Sequence, residues 1–585
     1  MRVIATAGHV DHGKSTLVRA LTGTDPDRWA EEHRRGLTID LGYAWTTLPD
    51  GEELAFVDVP GHERFIANML AGVGPIPAVL FVVAADEGWR QQSTEHLAAI
   101  RALGIEHGVV AVTRSDLADP AAATAQVRDH LPGWEVVACS GATGAGLPEL
   151  RAALGRLVAA LPAPDAAGRV RLWVDRVFTL HGAGTIATGT LSSGRIAVGD
   201  TLRAVGPAID RRVPVRGLQR LGEAADRVIA VARVAVNLRG IATDDLARGD
   251  ALLAGPWHLT TSTDVRCDPD GDDLPTHLVA HVGTAAVPVR VRPLAGSSAR
   301  LAWTHPVPLQ VGDRIVLRDP GQHVVVGGAQ VLDADPPALV RRGAARRRGE
   351  ELAHASTSLD VAAEVARRGW VPVEHLAGLG AAEAALAAPG IRRVGGLLIA
   401  PARWDAWREA LRQATERAAA SDPLQGRVAA AALVTALRLP EPELVAPLAR
   451  DAGLDVAGGY VQPPGARADL GAAEAGLAAI EQRLATDPFA APAQEELQAA
   501  GLGPKQVAAA VRLGRVLDLG GQVLVAPRAP AQAMRALAAL PQPFTTSQAR
   551  QALGTTRRVA IPLLTELDRR GWTRRVDDAH REVVR

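Results

Sequence analysis

The stretch GHVDHGKST, residues 8–16, carries the chemistry that is easiest to recognise in this chain. It matches G-x-x-x-x-G-K-S/T, a loop whose backbone N–H groups bind phosphates in front of a helix N-terminus. Only two of the 64 basic residues are lysines, Lys14 and Lys505. A compact ammonium can reach the β- and γ-phosphates through such a loop, whereas a planar guanidinium would not fit. We therefore predict phosphate binding by a set of loop residues: Asp11, His12, Gly13, Lys14, Ser15 and Thr16.

Two later segments carry the groups that a γ-phosphate and its Mg²⁺ require. RRGLTID offers Thr38, and DVPGHE places Asp58 at a strand end. With Ser15 these residues predict a Mg²⁺ site built from hard oxygen ligands. Gly61 is expected to present its N–H to the γ-phosphate, and His62 is expected to orient the attacking water as the catalytic residue.

A base-binding segment follows in the order that a guanine-nucleotide switch requires. TRSD stands where GTPases carry N-K-x-D, so Thr113 and Arg114 depart from the usual residues. Asp116 can accept both hydrogen bonds from the guanine amide and amino edge, and an arginine stem can still cover the base. In SGATGAGL, Ser140 and Gly141 are expected to meet the guanine carbonyl. The predicted nucleotide is GTP.

The elements that must position these residues are short apolar runs alternating with amphipathic helices. RVIATAG, LAFVDVPG, AVLFVVAAD, GVVAVTRSD and EVVACSG are typical strands. Their continuous apolar character indicates burial on both faces, hence a largely parallel sheet covered by helices. Ligands of such sheets bind beyond the carboxyl ends of the strands.

GHVDHGKST, RGLTIDLGYAW and DVPGHERFIANML resemble a translational GTPase, most closely the bacterial selenocysteine-specific elongation factors. The resemblance is specific over the first 150 residues, good to about 335 and weak beyond. It implies GTP hydrolysis triggered on the ribosome, and delivery of selenocysteinyl-tRNA at recoded UGA codons directed by an mRNA hairpin.

After residue 165 the composition turns to β-branched runs broken by glycine, typical of hairpins and barrels. The resemblance implies a GTPase domain over 1–165 and β-barrel domains over 166–257 and 258–336. In the first barrel, Asp175, Arg176 and Arg233 occupy positions similar to the family's selenocysteinyl pocket. Two arginines would favour a selenolate, which a serine hydroxyl cannot replace.

A repeat fills the rest of the chain. Helical runs end in glycine-rich hairpins at Gly395, Gly458 and Gly520, which are 63 and 62 residues apart, and a fourth turn holds Asp577. Helices followed by a two-stranded wing predict tandem winged-helix modules. Their predicted bounds are 337–403, 404–467, 468–529 and 530–585. The whole fold is therefore expected to be multidomain: an α/β P-loop domain, two β-barrels and four mainly α modules.

The last module is basic, since residues 541–585 hold nine arginines and five acidic residues, a net charge of +4. This charge fits phosphate contacts with a structured RNA. The expected mRNA-binding residues lie at helix starts and in the wing: Lys505, Arg512, Arg557, Arg558, Arg574 and Arg575.

Composition sets outer limits on partners and location. The formal net charge is zero, so a nucleic-acid site must be a local patch. Cys139 and Cys267 are too few for a disulfide framework or a metal site. We expect no signal peptide and no membrane span, and a cytoplasmic monomer.

Three alternative functions remain open at this point. One is another translational GTPase of the initiation or rescue type. A second is a GTP-driven sulfate-activating GTPase subunit, against which the four-module tail argues. A third is a GTP-regulated DNA-binding protein, which the tail alone does not exclude.

Overall fold

A computed structural model gives the fold of most of the chain. The described residues are 1–26, 38, 40–62, 65–74, 76–180, 184–387, 389–421, 427–464, 470 and 473–584. Parts of the segments RRGLTID and DVPGHERFIANML lie outside them. The chain divides into two compact units, Met1–Leu398 and Ile399–Arg585, which are described separately.

The first domain is a six-stranded sheet flanked by helices. Its strands are β1 Arg2–Ala7, β2 Gly42–Thr47, β3 Glu53–Asp58, β4 Ala78–Ala84, β5 His107–Thr113 and β6 Glu135–Ala138. Its helices are α1 Lys14–Thr22, α2 Ile66–Val73, α3 Gln91–Ala102, α4 Ala121–His130 and α5 Leu147–Ala160. The strand order is β2-β3-β1-β4-β5-β6, parallel except for the antiparallel pair β2–β3. The five predicted strands are present, and β2 is an edge strand that the sequence patterns did not indicate.

The second domain is a barrel closed by six of its nine strands. The strands are β7 Val170–Leu180, β8 Gly184–Leu191, β9 Arg195–Ala197, β10 Thr201–Gly206, β11 Ile209–Arg220, β12 Glu223–Ala225, β13 Arg227–Ile229, β14 Ala232–Leu238 and β15 Ala251–Ala254. The sheet runs β10-β15-β7-β8-β14-β11, and pairing of β10 with β11 closes the ring. Alternate residues of β14 are buried, as expected when one face of a strand lines a barrel core.

The third domain is a closed barrel of six strands. They are β16 Leu259–Asp268, β17 His277–Val282, β18 Ala285–Ala295, β19 Ser298–Pro308, β20 Arg314–Arg318 and β21 Val325–Asp333. The order around the barrel is β16-β19-β18-β17-β20-β21. Short 3-10 helices occur at Thr243–Asp245, Gly271–Asp273, Glu383–Ala387 and Pro442–Leu444.

A helical segment follows the third domain and extends to the boundary between the two units. It contains α6 Ala344–Leu352, α7 Val361–Arg368, α8 Val373–Gly378, β22 Trp370–Pro372, β23 Arg392–Val394 and β24 Leu397–Ile399. The helix α6 is joined to the barrel by charge. Arg348 donates to Asp264 at 2.8 Å and to Asp333 at 2.5 Å, and Asp264 is fully buried. Arg300 also donates to Asp264, so this buried carboxylate is held by two guanidinium groups.

The second unit repeats helices and hairpins. Its helices are α9 Pro401–Ser421, α10 Ala430–Leu437, α11 Val445–Asp451, α12 Glu474–Thr486, α13 Gln494–Ala499, α14 Pro504–Arg512, α15 Ala529–Ala538, α16 Thr546–Ala552 and α17 Arg557–Arg569. Its strands are β25 Val428–Ala429, β26 Asp455–Ala457, β27 Tyr460–Gln462, β28 Leu517–Asp518, β29 Leu524–Val525, β30 Phe544–Thr545, β31 Thr573–Arg575 and β32 His580–Val583. Antiparallel hairpins therefore stand at each repeat position of this unit.

Two further observations concern the helices. Pro562 lies within α17 and does not end it, although proline cannot donate the backbone hydrogen bond of that turn. Among the helices in the described part of the chain, none combines the length and the apolar character that a membrane span needs.

Candidate functional site

The phosphate loop joins β1 to α1 and is built from residues that tolerate a left-handed backbone. Asp11 has φ of 63° and Gly13 has φ of 79°. Lys14 is buried, and its Nζ donates to the carbonyl oxygens of Gly8 at 3.1 Å and His9 at 2.8 Å. The ammonium is thus folded back under its own loop, in a space that a guanidinium would overfill.

The end of β3 approaches this loop without room for a side chain. A Cβ placed on Gly61 would lie 2.4 Å from Nζ of Lys14 and 2.6 Å from the backbone N of Val10. Both distances are far inside van der Waals contact, so only glycine fits here. His62 follows directly, with its ring 6.0 Å from that of Phe65.

The three predicted Mg²⁺ ligands meet at one point. Oγ of Ser15 lies 2.6 Å from Oδ2 of Asp58 and 2.9 Å from Oγ1 of Thr38. Thr6 donates to Oδ1 of Asp58 at 2.6 Å and thereby fixes the carboxylate. Two hydroxyls and one carboxylate are hard oxygen donors, which is the ligand type that Mg²⁺ selects.

The base side of the site is tied to the same loop. The hydroxyl of Thr113 donates to the carbonyl of His12 at 2.7 Å. Arg114 donates to the carbonyl of Asp11 and, at 2.9 Å and 3.1 Å, to the carboxylates of Asp86 and Glu87. The two departures from N-K-x-D therefore brace the phosphate loop.

A single cavity of about 610 Å³ joins the phosphate and base sides. Its lining includes most of the predicted nucleotide-binding residues: Asp11, Gly13, Lys14, Ser15, Thr16, Thr38, Gly61, Thr113, Arg114, Asp116, Ser140 and Gly141. The hydroxyl of Ser140 accepts from the N–H groups of Ala142 and Thr143 and so shapes this turn. A nucleotide-sized space therefore lies where the five motifs converge.

His12 is predicted to bind phosphate, but its side chain is not available for that contact. Its imidazole is fully buried, with Nδ1 3.4 Å from the carbonyl of Val82. Burial lowers its pKa to about 3, so the ring is neutral at physiological pH. A phosphate contact at this position can come only from the backbone N–H.

Two residues beneath the loop escaped the sequence patterns. Nδ1 of His96 accepts the N–H of Gly8 at 3.1 Å, and the Gln92 side chain accepts the N–H of Val10 at 3.2 Å. Both lie on α3, four residues apart and hence on one face. Burial lowers the pKa of His96 to about 3, which keeps its acceptor nitrogen unprotonated. The sequence signal that could have identified these two residues is a pair of polar side chains on the buried face of an amphipathic helix.

A second cluster lies between the first and second domains. Arg233 makes a two-pronged contact with Asp175, at 2.6 Å for the Nη2–Oδ1 pair, and Asp175 is almost fully buried. The Arg233 guanidinium lies 3.9 Å from the centroid of the Tyr43 ring. Arg176 donates to the Leu41 carbonyl at 3.1 Å. The three predicted pocket residues are therefore brought together, and both arginines already have protein partners.

Asp40, two residues after the predicted Mg²⁺ ligand Thr38, contacts this cluster. Its carboxylate accepts from Arg176 at 3.3 Å and from Arg248 at 2.6 Å. Arg248 also donates to the carbonyl of Asp175 at 2.8 Å. Burial raises the pKa of Asp40, but the hydrogen bond and charge of Arg248, the Leu41 N–H and the charge of Arg176 together outweigh burial, so the pKa is lowered. The described side chains of the cluster comprise three arginines and two carboxylates.

In the second unit, the predicted RNA-binding residues differ in whether their side chains are exposed or are bonded to other protein groups. Lys505, Arg512, Arg557 and Arg575 have side chains that reach solvent. Arg574 is exposed and donates to Glu582 at 2.5 Å. Arg558 donates to the carbonyls of Ala491 and Pro492, both at 2.8 Å, and so secures the packing of α17.

Comparison with family models matches four regions of the chain. Residues 1–160 match the elongation factor Tu GTP binding domain, and residues 184–253 match elongation factor Tu domain 2. Residues 274–338 match the selenocysteine-specific elongation factor beta-barrel domain, and 535–581 match the elongation factor SelB winged helix.

Similar proteins agree with these matches. A selenocysteine-specific elongation factor of Escherichia coli is 38% identical over 396 residues, which cover 64% of this chain and 62% of that protein. Elongation factor Tu 2 of Streptomyces avermitilis is 33% identical over 44% of this chain and 73% of its own length. A crystal structure of a bacterial selenocysteine-specific elongation factor, EF-Sec, superposes with a TM-score of 0.74 over 100% of both chains. Its 24% identity supports the shared fold alone.

A phosphate loop with a guanine-type base segment, followed by two six-stranded barrels, defines a translational GTPase. Within this class, the third-domain and winged-helix regions are similar to models of the selenocysteine-specific elongation factors. The chain belongs to the translational GTPase family that includes elongation factor Tu.

Lys14→Arg should abolish GTP binding, because the space under the loop is closed by two carbonyl oxygens and by Gly61. Fluorescent-nucleotide titration measures the effect, and Lys505→Arg, which changes the other lysine on an exposed helix, serves as the matched control. Near-normal GTP affinity in Lys14→Arg would show that the loop accommodates a guanidinium.

Proposed function

We propose that this protein carries selenocysteinyl-tRNA to the ribosome in a GTP-dependent manner and delivers it at recoded UGA codons. The observation that carries the proposal is the arginine cluster around Asp175, which is contacted by Asp40, two residues after Thr38 in the chain. The names of the similar proteins support the same assignment. The reaction would take place in the cytoplasm, where ribosomes translate.

In this proposal the first domain binds GTP and hydrolyses it to GDP and phosphate. Loop N–H groups and Lys14 bind the phosphates, and Asp116 selects guanine. Ser15, Thr38 and Asp58 would hold Mg²⁺, which neutralises charge on the β- and γ-phosphates when bound. His62 orients the water that attacks the γ-phosphorus, and Gly61 lets the preceding backbone approach closely.

The amino acid is selected by charge. A selenol is more acidic than a thiol and far more acidic than a serine hydroxyl, so selenocysteine is an anion at neutral pH. The cluster of Arg176, Arg233 and Arg248 with Asp175 and Asp40 carries one more positive than negative charge among its described side chains. A selenolate offsets that charge, whereas a serine hydroxyl would leave it in a partly desolvated place.

Nucleotide state reaches this pocket through a short length of chain. Thr38 contacts Ser15 at the phosphate side, and Asp40 follows it by two residues. Asp40 in turn contacts Arg176 and Arg248. Loss of the γ-phosphate contact at Thr38 would therefore shift the carboxylate that orders the pocket arginines, and the tRNA would be released after hydrolysis.

The second unit would bind the mRNA hairpin. Exposed Arg557, Arg574 and Arg575 belong to the start of α17 and to the strand β31 that follows it. A-form RNA hides its base edges in a narrow groove, so specificity must come from loop or bulge bases. Lys505 and Arg512 would add phosphate contacts from the preceding repeat.

The GTP form should protect the ester bond of selenocysteinyl-tRNA from hydrolysis and leave seryl-tRNA unprotected. Replacing Arg176 and Arg233 with alanine should reduce the discrimination between the two tRNAs, which is the dissociation constant for seryl-tRNA divided by that for selenocysteinyl-tRNA. The expected reduction is roughly 10- to 100-fold for each charge-assisted hydrogen bond that is removed. Arg211→Ala, an exposed arginine paired with Asp245 in the same barrel, is the matched control.

Two checks separate selectivity from folding in this experiment. GTP affinity reports whether the double variant retains its fold, and Arg176→Ala alone leaves the buried Asp175–Arg233 pair in place. If the ratio of the seryl-tRNA to the selenocysteinyl-tRNA dissociation constant is unchanged in variants that bind GTP normally, the selenocysteine pocket lies elsewhere.

His62→Ala should leave GTP and tRNA binding intact and slow ribosome-stimulated hydrolysis by roughly 100-fold or more, as expected for loss of a water-orienting group. Single-turnover phosphate release measures the step. Hydrolysis at the parent rate would remove His62 from the mechanism.

Replacing Arg557, Arg574 and Arg575 with alanine in the full chain should abolish UGA readthrough while GTP and tRNA binding persist. Hairpin binding should weaken with salt because the contacts go largely to phosphates. Arg558 is left unchanged, since its removal would disturb packing. Hairpin affinity equal to the parent's, or a preference for duplex DNA, would contradict the proposal.

A further inference from the structure

Three potential metal ligands meet where the third domain joins the helical segment that follows it. His258 lies just before β16, Asp335 lies just after β21, and His375 lies in α8. The barrel begins and ends at this junction, so residues 77 and 117 positions apart in sequence become neighbours. The three residues lie outside the nucleotide site and outside the arginine cluster.

The ligand atoms are close together. Nε2 of His375 lies 3.2 Å from Oδ2 of Asp335, and Nε2 of His258 lies 3.9 Å from Oδ1. One ligand atom from each residue falls within 4.8 Å of the others, and the two imidazole centroids are 5.1 Å apart. Ligands about 2.1 Å from a tetrahedral zinc ion lie roughly 3.4 Å from one another, so a contraction of about 1 Å would complete the geometry.

The His375 ring has an unused polar atom at the centre of the cluster. Its Nε2 is buried and, among the residues that the structure describes, has no hydrogen-bond partner. Oδ2 of Asp335, at 3.2 Å, is placed for an ion pair with this nitrogen only when the imidazole is protonated. Buried polar atoms rarely stay unpaired in folded proteins, so this nitrogen points to a missing ligand.

The backbone around the cluster is fixed by contacts that do not use the three ligands' metal-facing atoms. The N–H of His258 donates to the carbonyl of Gly378 at 3.3 Å. Arg169 donates to the same carbonyl at 3.3 Å. Arg368 donates to the carbonyl of Asp335 at 2.9 Å and pairs with its Oδ2, which leaves Oδ1 facing His258.

We propose that His258, Asp335 and His375 form a binding site for a divalent transition-metal ion of the zinc class. Two imidazoles and one carboxylate oxygen are the ligand types that Zn²⁺ and Co²⁺ share, and Mg²⁺ does not favour imidazole. Arg368 would remain on Oδ2 and hold the carboxylate in place, as outer partners of metal ligands commonly do.

An open cavity gives the ion a route and a fourth ligand. The cavity has a volume of about 540 Å³ and is lined by His258, His375 and Glu374, among others. Arg203 also lines it, but its guanidinium is paired with Asp210 at 2.6 Å. Water or the exposed Glu374 can therefore complete a four-coordinate site.

The bound ion would join the third-domain barrel to the helical segment that follows it. Its ligands come from just before the first strand and just after the last strand of the third domain, and from the helical segment that follows. Binding would fix α8 against the barrel, in addition to the buried charges of Arg348 and Asp264 on another side of this junction. The site thus stabilises one relative position of these two parts within the first unit.

The test uses the full-length, tag-free protein, stripped with a chelator and free of nucleotide. Titration with Co²⁺ should give visible absorption bands of a low-symmetry site, and calorimetry with Zn²⁺ should show about one tight site per chain. Each of His258→Ala, Asp335→Asn and His375→Ala should weaken binding by at least about 10- to 100-fold. His277→Ala, an exposed histidine of the same barrel, should bind as the parent does.

A second variant keeps the test decisive if removal of a ligand disturbs folding. His375→Cys should retain Co²⁺ and add a near-ultraviolet thiolate-to-metal band, which a merely structural role for His375 would not produce. Zn²⁺ should also raise the Tm of the parent and of His277→Ala, but not that of a His258→Ala/His375→Ala variant that still binds GTP. Parent-like Co²⁺ binding in that double variant, or no Co²⁺ bands in the parent, would overturn the proposal.

Discussion

The close approach of Gly61 to the phosphate loop is the constraint on which the nucleotide site depends. The backbone at the end of β3 lies so near Lys14 and Val10 that a single methyl group would not fit. The same strand end places Asp58 against Ser15 and sets the backbone position of His62. Because the loop, the proposed metal ligands and the proposed water-orienting residue all lie around one glycine, movement of the β3 end would affect them together.

Hydrogen bonds from neighbouring elements hold the phosphate loop in place. His96 and Gln92 accept N–H groups of the loop from the buried face of α3, while Thr113 and Arg114 brace its carbonyl groups from the base side. The loop's N–H groups toward the cavity are then left for the phosphates. A neutral His96 is essential here, since a protonated Nδ1 could not accept the N–H of Gly8.

In the cluster around Asp40, a first-domain carboxylate contacts the arginines of the proposed amino-acid pocket. Asp40 belongs to the first domain, whereas Arg176 and Arg248 belong to the second. The pocket arginines are ordered by first-domain atoms, so their arrangement depends on the segment that carries Thr38. In the proposed function, such a link would couple tRNA binding and release to the nucleotide state.

The sequence by itself determined the parts that depend on local backbone and residue type. These are the phosphate loop, the TRSD and SGA segments, the parallel strands and the glycine-rich hairpins, whose signals lie within a few neighbouring residues. The module bounds in the tail and the roles of individual site residues stay predictions.

Only the tertiary structure decided which distant residues meet. It revealed β2 as an edge strand, His96 under the loop, Asp40 on the pocket arginines, Arg558 in a packing contact and the His258–Asp335–His375 cluster. A charged or polar side chain looks alike in sequence whether it faces solvent, pairs with a carboxylate or accepts an N–H. Its partner lies tens to hundreds of residues away, and only the packing of strands and helices brings the two within hydrogen-bond distance.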